Sequence, residues 1–268
     1  MRKDVRWGWR EETEVTEPLW RGVGVALVTL FDADGKVAVS ATAEHAARLV
    51  SLGIRAVLVA GSTGEADALT DAEREDLIAA VKRVCGGVPV IAGASGAWSR
   101  PAAERTAAAV AAGADAVLVA PPRRAGDTIA FFAAVGEAAG RAPVLAYHFP
   151  GVAGGEVPLD LLPQLPVAGM KDSTGDPERL LRELDAWDAW TYVGAATMAA
   201  FAGTVGAAGA ILAVANAVPE ECLAAWDGDG AAQRRLTTAH VAARTRFPYG
   251  LKELVAKRFD TATHARLG

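Results

Sequence analysis

Short, continuous apolar runs recur along the chain and alternate with alanine-rich segments of helical spacing. Apolar residues follow one another directly in these runs, a pattern that predicts strands buried on both faces. The predicted strands are residues 23–30, 56–60, 88–92, 116–120, 143–147, 167–170, 191–193 and 209–214. The predicted helices between them are residues 71–84, 101–112, 127–139 and 177–184. Strands that alternate with helices in this way predict parallel βαβ units.

An internal repeat narrows the predicted architecture. GIRAVLVA at 53–60 returns as GADAVLVA at 113–120, and a weaker copy, GAAGAILAV, lies at 206–214. The first two copies are about two βα units apart, which favours a closed barrel over an open sheet. The glycine-rich GxGxxG turn of a doubly wound sheet does not follow the first strand. We therefore predict an α/β fold, a (β/α)8 TIM barrel with a C-terminal helical extension.

The pattern also divides the chain into three parts. We assign residues 22–228 to the barrel and 229–268 to the helical extension, because helical spacing at 220–226, 231–244 and 251–259 exceeds the need of one barrel unit. Residues 1–21 carry three tryptophans among many charges. They are interpreted as an arm that is either flexible or in contact with a neighbouring subunit.

Composition excludes several classes of function. The chain has 268 residues, 51% of them hydrophobic, and a net charge of −5, without a basic stretch interleaved with aromatics, so no nucleic-acid partner is expected. Two cysteines are too few for a disulfide framework, and the charged N-terminus does not resemble a secretory signal, so a cytoplasmic location is expected. Residues 189–219 are uncharged and long enough to span a bilayer, but glycines interrupt them, and a buried helix followed by a buried strand is the preferred interpretation.

Lys171 ends the sixth predicted strand, and a buried ammonium is costly unless it is paired or neutral. One interpretation is a surface lysine that reaches solvent from the strand end. The other is a desolvated amine of lowered pKa that attacks a ketone and forms a Schiff base. Active sites of this fold lie at the C-terminal ends of the strands, which is where Lys171 stands.

Two further strand ends carry polar groups. GSTGE at 61–65 follows the second strand and is either an ordinary capped turn or a cradle for a carboxylate. Within it, Glu65 is expected to make a structural hydrogen bond. Tyr147 ends the fifth strand and is either a core tyrosine or a proton shuttle beside the lysine.

Seven motifs in order give the chain a resemblance to a known family. It is similar to the pyruvate-dependent class I lyases that include dihydrodipicolinate synthase and N-acetylneuraminate lyase, from about residue 22 to the C-terminal helices. The motifs are GVGVALVTLFDADG (22–35), GSTGE (61–65), VPVIAGASG (88–96), GADAVLVAPP (113–122), YHFP (147–150), GMKDSTGD (169–176) and GAILAVANAVP (209–219).

The resemblance implies a role for each matching residue. Lys171 would form the Schiff base with pyruvate or a related 2-oxo acid, and Tyr147 would relay protons. Ser62 and Thr63 would hold the substrate carboxylate, and Ser62 would also connect to Tyr147. The imine would act as the electron sink for aldol addition, cleavage or dehydration, so neither a metal nor a cofactor is expected. The resemblance further implies a homodimer or homotetramer, with an aldehyde as the possible second reactant.

The chain departs from the family where the second reactant would bind. His148 replaces an asparagine, Arg123 and Arg124 stand where the synthases carry tyrosines, and residues 151–155 lack the synthases' arginine. The segment 194–197 lacks an acidic residue common in sugar-acid lyases. True dihydrodipicolinate synthase activity is therefore not expected. The alternative is a non-catalytic barrel that binds keto acids.

The predicted substrate pocket is small and apolar, with a few polar contributors. Its candidate walls are Phe149, Ile211 and Leu212. The residues predicted to contact substrate are Ser62, Thr63, Gly61, Ile211, His148 and Arg123.

Overall fold

The computed structural model describes residues 17–124 and 126–267. Eight parallel strands follow one another around a closed barrel, and β8 pairs with β1. The strands are β1 (Gly22–Ala26), β2 (Ala56–Val59), β3 (Val90–Gly93), β4 (Ala116–Val119), β5 (Val144–His148), β6 (Gly169–Asp172), β7 (Trp190–Val193) and β8 (Gly209–Leu212). The predicted (β/α)8 barrel is confirmed, and the near-complete burial of each strand explains why its sequence is continuously apolar.

Nine α-helices lie in the described part of the chain. They are α1 (Val39–Ser51), α2 (Asp71–Val84), α3 (Ser99–Ala111), α4 (Thr128–Ala139), α5 (Pro177–Ala186), α6 (Ala199–Thr204), α7 (Pro219–Trp226), α8 (Gly230–Thr245) and α9 (Tyr249–Phe259). Helix α2 begins with a capping box, in which Thr70 and Glu73 each accept a hydrogen bond from the other's backbone N–H. Helices α8 and α9 form the predicted C-terminal extension.

The fifth βα unit departs from the regular pattern. A 3-10 helix, Leu159–Gln164, takes the place of an α-helix between β5 and β6. Pro163 lies inside it and has no N–H to donate, so a longer α-helix is disfavoured at this point.

The core has an inner layer within the barrel and an outer layer between strands and helices. Leu58, Leu118 and Ile211 belong to the inner layer. Trp20 closes this layer at the N-terminal end of the strands, where its ring stacks on Tyr192 with 3.9 Å between centroids. The last residues of the predicted arm are thus part of the barrel core, whereas residues 1–16 lie outside the described residues.

Residues 189–219 are divided among β7, α6 and β8 and the short turns between them. Over residues 17–124 and 126–267, no helix combines the length and the apolar character needed to cross a membrane. Cys85 and Cys222 are both buried and free.

Candidate active site

Lys171 and Tyr147 face each other across neighbouring strands at the C-terminal end of the barrel. The parallel register of β5 and β6 pairs these two residues directly. Both side chains are buried, and the Lys171 Nζ atom lies 4.8 Å from the centroid of the Tyr147 ring. The structure therefore brings together the two groups that the sequence predicted as nucleophile and proton relay.

Burial changes the protonation of Lys171. Loss of solvation lowers the pKa of its amine, and the interaction with the Tyr147 hydroxyl opposes this shift only in part. A lowered pKa enlarges the neutral fraction of the amine near pH 7, and only the neutral amine has the lone pair that attacks a carbonyl.

The turn after β2 has an unusual backbone. Residues Ser62–Gly64 form one 3-10 turn, and Ala60 and Glu65 on either side of it both have positive φ, 52° and 56°. Left-handed conformations are uncommon for residues other than glycine and persist where surrounding contacts enforce them, often at functional sites. One such contact is the hydroxyl of Thr29, which donates to the Gly64 carbonyl at 2.7 Å.

Ser62 and Tyr147 line the same cavity, whose volume is about 180 Å³. Gly61 lines it as well, and Thr63 is the half-buried next residue of the turn. The predicted carboxylate cradle and the predicted proton relay therefore open into one space.

Glu65 is structural, as the sequence predicted. Its side chain is fully buried and accepts backbone hydrogen bonds from Arg266 at 2.8 Å and Leu267 at 2.7 Å. It also pairs with the equally buried Lys252, with 2.5 Å between Nζ and Oε1. The turn that carries Ser62 is thereby tied to the C-terminal segment.

His148 lies away from this cavity. Successive side chains of a strand alternate between faces, so His148 points to the outer side of β5 when Tyr147 points inward. There its Nδ1 accepts a hydrogen bond from the Val157 N–H at 3.0 Å, and burial together with Arg179 lowers its pKa to about 4. The structure thus places His148 as a buried, neutral packing group and not at the predicted substrate contact.

The predicted walls take different positions. Ile211 lies inside the barrel in the same core layer as Tyr147, whereas Leu212 packs in the outer layer. Leu212 is therefore not a wall of the pocket. Phe149 lies beside Tyr147, with 6.3 Å between the ring centroids.

Arg123 and Arg124 are exposed and line a larger neighbouring cavity of about 570 Å³. The Arg123 Nη2 atom donates to the carbonyls of Gly151 at 3.0 Å and Val152 at 3.3 Å. In this structure Arg123 holds the loop after β5, and the predicted substrate contact stays a prediction.

Gly194 has a positioning role that the sequence alone did not indicate. A Cβ atom at this position would lie 1.8 Å from the Ser173 Oγ atom and 2.8 Å from Lys171 Cε. Any other residue at position 194 would displace the side chains of Ser173 and Lys171. The sequence shows a glycine directly after β7, the strand that neighbours the lysine's strand, but not which side chains a methyl group there would meet.

We predict that Gly194→Ala lowers kcat/KM about 100-fold, because a displacement of about 1 Å in a reacting group has effects of this size. The measurement is steady-state kinetics with circular dichroism as a check of folding. Gly136→Ala is the matched control, since its new methyl group would make only an ordinary contact 3.8 Å from the Pro166 carbonyl. Equal activity of both variants would contradict the role given to Gly194.

Comparison with known proteins identifies the family of the chain. The model of the dihydrodipicolinate synthetase family matches residues 19–235. This chain belongs to that family. The chain is similar to an uncharacterized DapA-like lyase of Halobacterium salinarum, with 35% identity over 259 residues, which cover 89% of this chain and 85% of that protein.

Two further proteins to which this chain is similar are synthases. The 4-hydroxy-tetrahydrodipicolinate synthase of Xanthomonas axonopodis pv. citri is 35% identical over 74% of this chain and 69% of its own length. The structure of a chloride-inhibited dihydrodipicolinate synthase from Acinetobacter baumannii, complexed with pyruvate, superposes with a TM-score of 0.82 at 28% identity. That superposition covers 93% of this chain and 92% of the other.

Proposed function

We propose that the protein is a lyase or aldolase that forms a Schiff base between Lys171 and pyruvate or a related 2-oxo acid. The observation that carries this proposal is the buried Lys171 amine, 4.8 Å from the Tyr147 ring at the mouth of the barrel. Family membership supports it, as does the pyruvate complex of the related synthase.

The first step joins the substrate to the enzyme. The neutral Lys171 amine attacks the C2 carbonyl carbon, the C–N bond forms, and the carbonyl oxygen leaves as water after protonation. The product is a protonated imine, which withdraws electrons from C3. The Tyr147 hydroxyl supplies the proton with which the carbonyl oxygen leaves, and the Tyr147 phenolate that remains accepts a proton from C3. This gives a neutral enamine without any metal or cofactor.

The second step makes or breaks a carbon–carbon bond. In the condensation direction the enamine C3 attacks the carbonyl carbon of an aldehyde, and the aldehyde oxygen takes a proton from the Tyr147 hydroxyl. Water then hydrolyses the imine and frees Lys171. In the cleavage direction the Tyr147 phenolate, formed when the imine forms, accepts the proton of the C4 hydroxyl as the C3–C4 bond breaks.

The turn after β2 would fix the orientation of the 2-oxo acid. Ser62 and Thr63 offer hydroxyl and backbone N–H groups to the carboxylate beside the cavity that Tyr147 shares. A carboxylate held there would leave C2 of a short 2-oxo acid beside Tyr147, the residue that β5 pairs with Lys171.

Dihydrodipicolinate synthase activity itself is not part of the proposal. The loop 151–155 has no arginine for the carboxylate of the second substrate, and arginines replace the tyrosines of the fourth strand end. The proposal includes a homodimer or homotetramer in the cytoplasm, as family resemblance implies. The second candidate function, a non-catalytic keto-acid-binding barrel, is favoured only by these altered loops.

Deuterium exchange distinguishes the Schiff-base lyase from the non-catalytic keto-acid-binding barrel, and the aldehyde does not have to be known. The enamine takes up deuterium at C3, so the enzyme should replace the methyl hydrogens of pyruvate when both are dissolved in D2O. Proton NMR follows the loss of the methyl signal. Binding of pyruvate without exchange of its hydrogens, or of those of 2-oxobutanoate, would favour the non-catalytic barrel.

We predict that Tyr147→Phe lowers the exchange rate by about 10²- to 10⁴-fold, the usual contribution of a general acid–base group. Tyr192→Phe is the matched control, because the Tyr192 hydroxyl donates to the Trp20 carbonyl at the opposite end of the barrel. The control loses one buried hydrogen bond, worth about 1 kcal/mol of stability, and should keep its exchange rate. Equal rates for the two variants would remove Tyr147 from the mechanism.

A further inference from the structure

Three large apolar side chains are exposed at the cavity that Ser62 and Tyr147 share. Val152, Phe247 and Leu267 line this cavity, and their exposed fractions are 54%, 46% and 38%. Single exposed apolar residues are common, but several at one catalytic cavity indicate a surface that a ligand covers. We call these three residues the apolar rim.

The C-terminal part of the apolar rim is held firmly. The Leu267 N–H donates to Glu65, the residue that directly follows the Ser62–Gly64 turn. Glu65 is in turn held by the buried Lys252, whose Nζ atom also donates to the His264 carbonyl at 2.6 Å. The Leu267 backbone is therefore held in a fixed position relative to the carboxylate cradle.

Arg266 fastens the same segment from the other side. Its side chain donates to the Gly35 carbonyl at 2.7 Å, to the Ala68 carbonyl at 2.8 Å and to Glu73 at 2.6 and 2.9 Å. These partners lie in the segments that follow β1 and β2. These hydrogen bonds of Arg266 hold the backbone next to Leu267, the residue that lines the cavity.

Val152 is positioned from the opposite loop. Arg123 donates to the Gly151 and Val152 carbonyls, and the Ala153 N–H donates to the Phe149 carbonyl at 3.0 Å. The Nη2 atom of Arg123 is thereby engaged with the protein's own backbone. This arrangement presents Val152, and not the guanidinium, to the cavity.

Among the described residues, Arg74 is the one cationic side chain that lines this cavity, and it is already engaged with the protein. Arg123 and Arg124 line the neighbouring cavity, with which this one shares Val152. Arg74 donates to the Gly93 and Ala66 carbonyls, and Ser95 accepts from the Ala120 N–H. Asp67 also lines the cavity, and its carboxylate repels an anionic group.

We propose that the aldehyde half of the substrate is apolar and packs against Val152, Phe247 and Leu267. The inference rests on the proposed Schiff-base function and names its second reactant by chemistry. A branched aliphatic or aromatic aldehyde removes apolar surface from water at the apolar rim. A polyhydroxylated or carboxylated aldehyde loses solvation there and gains few hydrogen bonds in return.

The test measures condensation of pyruvate with four aldehydes: 3-methylbutanal, benzaldehyde, glyceraldehyde and succinic semialdehyde. We expect kcat/KM for the two apolar aldehydes to exceed that for the two polar ones by at least about 10-fold, the discrimination expected of an apolar pocket. Leu267→Ser and Phe247→Ser should each reduce this preference about 10-fold, whereas Leu267→Met should retain it.

Two controls keep the test decisive. Val241→Ser changes an exposed valine on α8, away from the cavity, and should leave the preference intact. Each condensation rate is normalised to the same variant's exchange rate with pyruvate alone.

A preference for glyceraldehyde or succinic semialdehyde, or an apolar preference that survives both serine variants, overturns the inference while the Schiff-base function stands. Absence of exchange in the wild-type enzyme refutes the proposed function and this inference together.

Discussion

Lys171→Met is expected to abolish deuterium exchange and turnover without loss of stability. Methionine fills a volume similar to that of lysine but has no nucleophilic nitrogen, so the imine cannot form. The lysine is buried and its pKa is lowered mainly by lost solvation, which means that its ammonium form is destabilised in the folded protein. The melting temperature of the variant should therefore equal or exceed that of the wild type at pH 7.

The difference in stability between Lys171→Met and the wild type should depend on pH. Because the folded pKa is lowered, the unfolded chain binds the proton more tightly, and stability of the wild type rises with pH. The advantage of Lys171→Met is full below the lowered pKa of the folded protein and should disappear as the pH approaches about 10.4, the ordinary lysine value. Thermal unfolding at several pH values measures it.

Lys82→Met is the matched control for Lys171→Met. Lys82 pairs with Asp115 at 2.6 Å in a partly exposed site on the outside of the barrel. This variant should retain exchange. Residual exchange in Lys171→Met at a rate near that of the control would contradict the assigned nucleophile.

The buried ion pair between Lys252 and Glu65 is expected to contribute strongly to the stability of the fold. Lys252→Met is expected to lower the free energy of unfolding by about 3–5 kcal/mol, the usual result of leaving one member of a buried ion pair alone. Glu65 would keep its bonds to the Arg266 and Leu267 N–H groups but lose the opposite charge 2.5 Å away. The double variant Glu65→Gln/Lys252→Met should recover part of this loss. Chemical denaturation measures all three proteins.

An exposed pair of the same length is the control. Arg246 and Glu253 are also 2.5 Å apart, but their side chains are 64% and 48% exposed. Solvent screening limits such a pair to about 1 kcal/mol or less, so Arg246→Met should have a small effect. Similar losses in Lys252→Met and Arg246→Met would show that burial of the Lys252–Glu65 pair is not what makes it important.

Much of the fold could be predicted because barrel strands bury both faces. Each strand was visible as an apolar run, and helix α2 was predicted with its observed bounds because its capping box marks the start. The 3-10 helix at 159–164 was not predicted, since the effect of a proline on a helix depends on the path of the chain. The role of Trp20 could not be predicted because its partner, Tyr192, is distant in sequence.

The candidate site was predicted in part for similar reasons. Lys171 and Tyr147 stand at strand ends, and the topology of a barrel brings strand ends together. The position of His148 could have been predicted, since a residue next to an inward-facing tyrosine must face outward. The contributions of Gly194 and Leu267 could not, because they depend on contacts between segments that only the folded chain brings together.

The most direct test of the central claim is reduction with borohydride in the presence of pyruvate. Borohydride converts a transient imine into a stable secondary amine, and peptide mass spectrometry locates it. The account predicts one pyruvate-derived adduct, on Lys171, and none in Lys171→Met. An adduct on another lysine, or none with any of several 2-oxo acids, would contradict it.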